Sequence, residues 1–459
     1  MSDLSFSQLP LAKGQIENLG SLGYARMTDI QAAALPIALA GKDLIAQAKT
    51  GSGKTATFTL PLLSKLNPRD FGAQALVLCP TRELATQVAA ETRRLARHQQ
   101  NIKVVTLCGG QPIGPQIGSL EHGAHIVVGT PGRIKDHLRK QTLDISRVST
   151  LVLDEADRML DMGFLEDISS IIEATPNTRQ TLLFSATFPD DIQRLSTRFQ
   201  RSAQVVKVDS THTELQIRQQ FYVCSRPGKL EALAKVIAHH APEAAVIFCN
   251  TKDVVREVTA YLKNQGSSAL ALHGDLEQRD RDQVLVQFKN QSSRLLVATD
   301  VAARGLDIDD LPTVINFELP RDPDQYTHRI GRTGRAGKNG LAVSLFTANE
   351  RYKLEGIAAD HEREVAFDAI ETLSGTGEPL PPPRFVTLCI AGGRKQKVRP
   401  GDVLGALTGA GGIEGKGVGK IDVMDYVTFV AVDRNQSKPA LKQLQSGKIK
   451  GRKFKVRRL

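Results

Sequence analysis

Ala48-Lys49-Thr50-Gly51-Ser52-Gly53-Lys54-Thr55 is the stretch whose reading decides the fold. A short apolar run, Asp43-Leu44-Ile45-Ala46, precedes it and reads as a strand. Ala56-Thr57-Phe58-Thr59-Leu60 follows and reads as the start of a helix closed by Pro61. Strand, glycine-rich turn and helix together make a phosphate cradle. Glycines let backbone N–H groups face an anion, and the helix N-terminus adds positive potential. In such a cradle Lys54 reaches the β- and γ-phosphates and the Thr55 hydroxyl takes a place on Mg²⁺. Ala48 stands where the general pattern has its first glycine. An ordinary Gly-rich surface turn before a helix would look similar, so the decision rests on whether the chain supplies the other parts of a nucleotide site.

The first such part is Asp154-Glu155-Ala156-Asp157, directly after the run Leu151-Val152-Leu153. Carboxylates at the C-terminal end of a parallel strand lie where a Mg²⁺-nucleotide sits. Asp154 is placed to hold Mg²⁺ and Glu155 to orient or deprotonate an attacking water. Around these stretches short β-rich runs alternate with helical segments: Ala75-Leu76-Val77-Leu78-Cys79, Lys103-Val104-Val105-Thr106-Leu107, His125-Ile126-Val127-Val128 and Thr181-Leu182-Leu183-Phe184. Continuous apolar runs of this kind predict parallel strands covered on both faces. The pattern breaks at 209–214, which reads as a linker, and then resumes with runs at 245–248, 269–272, 294–297, 313–316 and 342–345. The predicted fold class is α/β: two tandem parallel-sheet domains, 1–208 and 215–372.

A second boundary is the Gly/Pro-rich linker 373–383, ending Pro381-Pro382-Pro383. Beyond it, residues 384–459 suffice for one small domain. Runs at 385–390, 421–423, 427–432 and 454–456 read as strands, and 402–407 and 439–444 as helices. The order β-α-β-β-α-β is that of an α+β RNA-recognition sheet.

Charge points the same way. The chain of 459 residues carries a net +11. Residues 384–459 hold 17 basic and 5 acidic groups, a net of +12, so the remainder is close to neutral. A neutral body with a basic appendage indicates a polyanionic partner for the appendage. Hydrophobic residues at 41% and charged residues at 24% fit a folded globular chain. No apolar run is long enough to span a bilayer, and the start shows no secretory pattern, so the expectation is a cytoplasmic protein with no membrane partner. Five cysteines (79, 108, 224, 249, 389), scattered singly, read as reduced thiols placed mostly in strands.

The ordered set of motifs resembles the DEAD-box RNA helicases, which take their name from the residues found here as Asp154-Glu155-Ala156-Asp157. Ala48 belongs to that family's own phosphate loop. Further matching elements are Pro80-Thr81-Arg82-Glu83-Leu84, Gly109-Gly110, Thr130-Pro131-Gly132-Arg133, Ser185-Ala186-Thr187, His273-Gly274-Asp275 and His328-Arg329-Ile330-Gly331-Arg332-Thr333-Gly334-Arg335. The resemblance implies two RecA-like P-loop domains, an ATP and Mg²⁺ requirement, and RNA-stimulated ATP hydrolysis coupled to unwinding of short duplexes.

Residue by residue, it implies that Ala48, Lys49, Thr50, Gly51, Ser52, Gly53, Lys54 and Thr55 cradle the phosphates. Gln31 would read adenine with Tyr24 and Phe6 near the base, Asp307 would accept from the ribose, and Thr55 and Asp154 would serve the metal. Lys54, Asp154 and Glu155 would be catalytic, joined by Arg332 and Arg335 as arginine fingers from the second domain. Pro80, Thr81, Arg82, Gly110, Thr130, Gly132, Arg133, Gly274 and Thr299 would hold an RNA strand by its backbone, and Ser185 and Thr187 would link that face to the ATP site. Family members carry proline where this chain has Met27.

The tail resembles that of a bacterial subfamily of these helicases, for which the implied ligand is a 23S rRNA hairpin of the pre-50S particle, during large-subunit assembly. RNA-recognition sheets stack bases on aromatics at fixed positions of two central strands. Cys389 occupies one of those positions and only Phe429 remains aromatic, so the basic loops, above all Lys448, Lys450, Arg452 and Lys453, must contribute more. A monomer is expected. Two other readings stay open on residues alone: an ATPase that remodels RNA–protein contacts without separating strands, and an RNA-binding scaffold with an idle ATP site. The intact Lys54, Asp154, Glu155, Arg332 and Arg335 speak against the second.

Overall fold

The computed structural model describes residues 4–48, 52–188, 190–208, 217–303, 311–320, 322–334, 339–360, 365–374, 380–409 and 411–459. Lys49, Thr50, Gly51, Asp307, Arg335 and the linker 209–214 lie outside the described residues, as do 375–379 of the second linker. The chain divides into two compact units near residue 212.

In the first unit, strands β1 (Leu44–Gln47), β2 (Ala75–Leu78), β3 (Val104–Leu107), β4 (Ile126–Gly129), β5 (Thr150–Leu153), β6 (Gln180–Ser185) and β7 (Gln204–Lys207) form one sheet in the order β3-β4-β2-β5-β6-β1-β7. All its pairings are parallel. Its two faces carry separate apolar cores, one built on Leu35, Phe58, Val77 and Phe184, the other on Leu76, Val127, Leu151 and Ile171. That is why the strands read as unbroken apolar runs rather than alternating ones. The sheet order places β5, β6 and β1 side by side and β3, β4 and β2 side by side. The loops leaving one edge therefore fall into two groups.

In the second unit, β8 (Ile217–Val223), β9 (Ala245–Cys249), β10 (Ala269–Leu272), β11 (Leu295–Thr299), β12 (Thr313–Asn316), β13 (Gly340–Phe346) and β14 (Asp368–Ala369) form a second parallel sheet in the order β10-β11-β9-β12-β13-β8-β14. The small C-terminal sheet belongs to this same unit. Its strands, β15 (Phe385–Ile390), β16 (Val418–Val423), β17 (Thr428–Asp433) and β18 (Val456–Arg458), are antiparallel in the order β16-β17-β15-β18. The helices Pro400–Thr408 and Ser437–Ser446 cover one face, packing on Val386, Leu388, Ile390, Val430 and Val432.

The other face lies against the helix Gln278–Lys289. Val286 of that helix forms one buried cluster with Cys389 and Phe429. Ser292 and Thr387 share a 2.7 Å hydroxyl contact, and Arg457 Nη2 donates to Gln283 Oε1 at 2.8 Å.

Two local expectations need correction. Pro61 does not close its helix, which runs Lys54–Lys65 with the proline inside. An interior proline costs about 3 kcal/mol, but Phe58, Leu60, Leu62 and Leu63 are all buried beside it, and each such side chain returns about 1.5–3 kcal/mol. Strands β7 and β14 at the sheet edges, and β8 next to one, do not read as apolar runs, because only Val206 of β7 is buried and β8 opens Ile-Arg-Gln-Gln. Of the five cysteines, all buried, two lie in strands and three in the residue just after one. Among the described residues no helix is long and apolar enough to cross a membrane.

Candidate functional site

The phosphate-loop stretch leaves β1, the acidic stretch leaves β5 and Ser185-Ala186-Thr187 leaves β6, so three adjacent parallel strands deliver them to one place. Gly53 precedes the helix Lys54–Lys65 with φ +92°, in the left-handed region. A Cβ there would also stand 2.5 Å from Gln31 Nε2 and displace that amide, so glycine is favoured chiefly by the backbone conformation. Lys54 is buried and its Nζ donates to Ala48 O at 3.0 Å, which turns the ammonium back toward the end of β1. Thr28 Oγ1 donates to Ser52 O at 2.7 Å, and Gln31 Nε2 to Gly53 O at 3.2 Å. Gln31 Oε1 accepts from Thr28 N–H at 2.9 Å, so both ends of this buried amide are engaged with backbone. Tyr24 donates to Glu91 Oε1 at 2.8 Å and meets the Phe6 ring edge-on, with centroids 6.1 Å apart. Burial, with the Glu91 contact second, raises its phenol well above the usual range.

Asp154 and Glu155 are both buried. Burial pushes the Asp154 carboxyl up to about 7, against the pull of the Lys54 charge and with the help of Glu155. Its Oδ1 is buried without a hydrogen-bond partner. The Ser52 and Ser185 hydroxyl oxygens are buried and unpartnered in the same way. Glu155 adopts φ +53°, ψ +52°, at the start of the helix Ala156–Asp161, and its Oε2 lies 3.5 Å from Arg158 Nη1. A buried anion kept partly protonated by desolvation, with a free oxygen beside an ammonium and a helix N-terminus, suits a divalent cation carrying phosphate.

Asp157, which the sequence did not single out as a site residue, is the fixed point between these elements. Its Oδ2 accepts from Ala186 N–H (3.1 Å), Thr187 N–H (2.9 Å) and Thr187 Oγ1 (3.0 Å). Burial acts to raise this carboxyl, but the Thr187 bonds and the Lys54 charge hold it below the usual range. The acidic stretch is thereby tied to the segment that follows β6.

The loops after β3, β4 and β2 make the other group. Thr81 caps the helix Arg82–Leu95 by accepting from Leu84 N–H at 3.3 Å, and Thr130 precedes the helix Pro131–Arg139. Arg133 Nη2 donates to Gln111 O at 2.9 Å, and Gly110 has φ +69°. Two helix N-termini with hydroxyls at one sheet edge suit a phosphate backbone. In the second unit Gly274 follows β10 and Thr299 ends β11, strands that are neighbours. A Cβ on Gly274 would meet open space.

A second feature missed in the sequence is Arg329, fully buried. Its guanidinium is bidentate to Asp300 (2.6 and 2.7 Å) and also bonds Glu318 O (2.6 Å) and Asn250 Oδ1 (2.8 Å). It gathers the ends of β9, β11 and β12. Arg332 is also buried. In the tail, Lys448, Lys450, Arg452 and Lys453 are all exposed around a tight turn closed by Ile449 and Arg452.

The chain is 53% identical over 98% of its length to the ATP-dependent RNA helicase DbpA of Escherichia coli K12, spanning 98% of that protein. It belongs to the DEAD-box family of ATP-dependent RNA helicases. Family profiles match accordingly: DEAD/DEAH box helicase over residues 28–195, helicase conserved C-terminal domain over 228–337, and DbpA RNA binding domain over 387–458. The DEAD-box helicase CshA of Bacillus cereus is 45% identical over 79% of this chain and 69% of its own. Among solved structures, Saccharomyces cerevisiae Dbp5 bound to RNA and ADP BeF3 superposes with a TM-score of 0.73 at 29% identity, covering 80% of this chain and 96% of that one. As a DEAD-box helicase the chain is an RNA-dependent ATPase with two RecA-like domains and a DbpA-type RNA-binding domain.

Proposed function

We propose that this helicase separates short RNA duplexes locally and is delivered by residues 384–459 to a 23S rRNA hairpin while the large ribosomal subunit is assembled, working as a cytoplasmic monomer. One observation carries the address: the likeness to the DbpA of E. coli runs through the tail as well as the helicase domains, and the tail concentrates the chain's positive charge. In this reading Lys54 and the loop 48–55 hold the β- and γ-phosphates, Gln31 and Tyr24 border adenine, and Asp307 takes the ribose. Thr55 and Asp154 hold Mg²⁺, which supplies neutralisation of phosphate charge; the unpartnered Asp154 Oδ1 fits that role. Glu155 accepts the proton of the attacking water. Arg332 and Arg335 stabilise charge on the γ-phosphate, and Asp157 conveys RNA contact through Thr187 to the acidic stretch. The RNA strand is gripped through Pro80, Thr81, Arg82, Gly110, Thr130, Gly132, Arg133, Gly274 and Thr299.

The test is ATP turnover with 23S rRNA, with the same RNA lacking the hairpin, and with poly(A), for the full chain and for a chain ending at residue 383. The full chain should respond far more strongly to the intact RNA, and the shortened chain weakly and alike to all three. Equal stimulation of the full chain by poly(A) would remove the ribosomal address.

A further inference from the structure

The face on which an RNA-recognition sheet ordinarily stacks bases is covered in this protein by its own helicase domain. Cys389 and Phe429, paired in register on β15 and β17, are 7% and 2% exposed beneath Val286. Thr387, two residues before Cys389 on the same face, bonds Ser292, and Arg457 on β18 bonds Gln283. Both stacking positions are thus spent on holding the tail to the helix Gln278–Lys289.

Aromatic surface is available elsewhere in the tail. Tyr426 is 58% exposed in the turn between β16 and β17. That turn is braced by the neighbouring loop: Arg394 N–H donates to Met424 O at 2.8 Å, Lys395 N–H to Asp425 O at 2.9 Å, and Arg394 Nε to Val423 O at 3.0 Å. Gly393 allows the approach, because any Cβ there would collide with the backbone of Met424 and Asp425. The bracing anchors the exposed Arg394 and Lys395 on the same turn that carries the exposed Tyr426, with the Arg394 guanidinium 3.9 Å from the Asp425 carboxylate. Stacking on a ring needs such rigidity, and cations nearby serve the flanking phosphates.

We propose that the tail binds an unpaired RNA base on Tyr426, with Arg394 and Lys395 on the adjacent phosphates, and that its sheet face serves as the dock to the second helicase domain. The proposal rests on the reading of residues 384–459 as the RNA-addressing part.

The experiment uses the full chain and two labelled RNAs of equal length, a stem-loop with an unpaired loop and a blunt duplex. Tyr426→Ala should weaken stem-loop binding roughly ten- to a hundredfold, the size of one lost base stack, and leave duplex binding unchanged. Tyr426→Phe should restore the parent affinity. Arg394→Gln with Lys395→Gln should flatten the salt dependence of stem-loop binding, which Tyr426→Ala should not. Parent-like stem-loop binding by Tyr426→Ala would overturn the proposal. So would a Val286→Arg variant that binds the stem-loop more tightly than the parent, since that would return base stacking to the uncovered sheet. A chain ending at 383 that keeps full stem-loop affinity would bring down the underlying reading instead.

Discussion

Glu155 holds a left-handed backbone conformation, φ +53°, which costs a non-glycine residue about 1–2 kcal/mol. Strain kept at a carboxylate fits a catalytic duty better than a packing one. Glu155→Gln, nearly the same shape, should retain ATP and RNA binding while turnover falls roughly 10²- to 10⁴-fold. Single-turnover hydrolysis beside a nucleotide-binding titration separates the two. Parent-rate hydrolysis would remove Glu155 from the role of base.

Asp154 gives a pH signature. Its folded carboxyl, pushed up to about 7 by burial, lies above the unfolded value near 4. The folded state therefore binds the extra proton between these values, and its contribution to stability is full below pH 4 and is lost as pH rises through 7. Asp154→Asn should remove that loss. In urea titrations without nucleotide, the variant should gain on the parent between pH 4 and pH 8, by up to about 4 kcal/mol, although its ATPase is gone. A difference that does not change with pH would mean that Asp154 is solvated.

At the scale of elements, Arg329 joins β9, β11 and β12 through Asn250, Asp300 and Glu318. Removing one member of a buried ion pair strands the other, at about 3–5 kcal/mol. Asp300→Ala should cost that much in urea unfolding, and Asp300→Leu with Arg329→Met markedly less. Equal losses in the single and double variants would show that the pair is solvated and contributes little. This hub also marks where sequence reading stopped. The acidic stretch and phosphate loop are legible because the strands before them bury Leu44 to Ala46 and Thr150 to Leu153 and each loop has a fixed chemical pattern. Arg329 sits in an equally patterned run, yet only the fold shows which arginine turns inward. Pro61 misled because a local backbone rule was outweighed by four buried neighbours. Asp157 reads only as one letter of a motif, because its bonds to Ala186 and Thr187 cross 29 and 30 positions of sequence.

For the molecule as a whole, charge and docking set separate properties of the tail. Lys448, Lys450, Arg452 and Lys453 are exposed. Neutralising all four should lower the slope of log affinity against log salt by about 3 to 4, at 0.7–0.9 for each phosphate contact, whereas docking variants should leave that slope alone. An unchanged slope would place the phosphates elsewhere. The sequence carried the tail's strand order and its missing aromatic, but it could not show that Cys389 faces a helix a hundred residues earlier, since nothing local marks a docked face.

The five buried thiols have a consequence of another kind. Burial raises the thiols of Cys79, Cys249 and Cys389 alike, so in the native state a disulfide reagent must wait for each to be uncovered. Cys79 lies under the first sheet's core and Cys389 under the dock. Their labelling half-times are then two independent clocks in one unmodified chain. Val286→Arg should hasten the Cys389 clock and leave that of Cys79 unchanged, which would time each excursion of the tail without any attached dye.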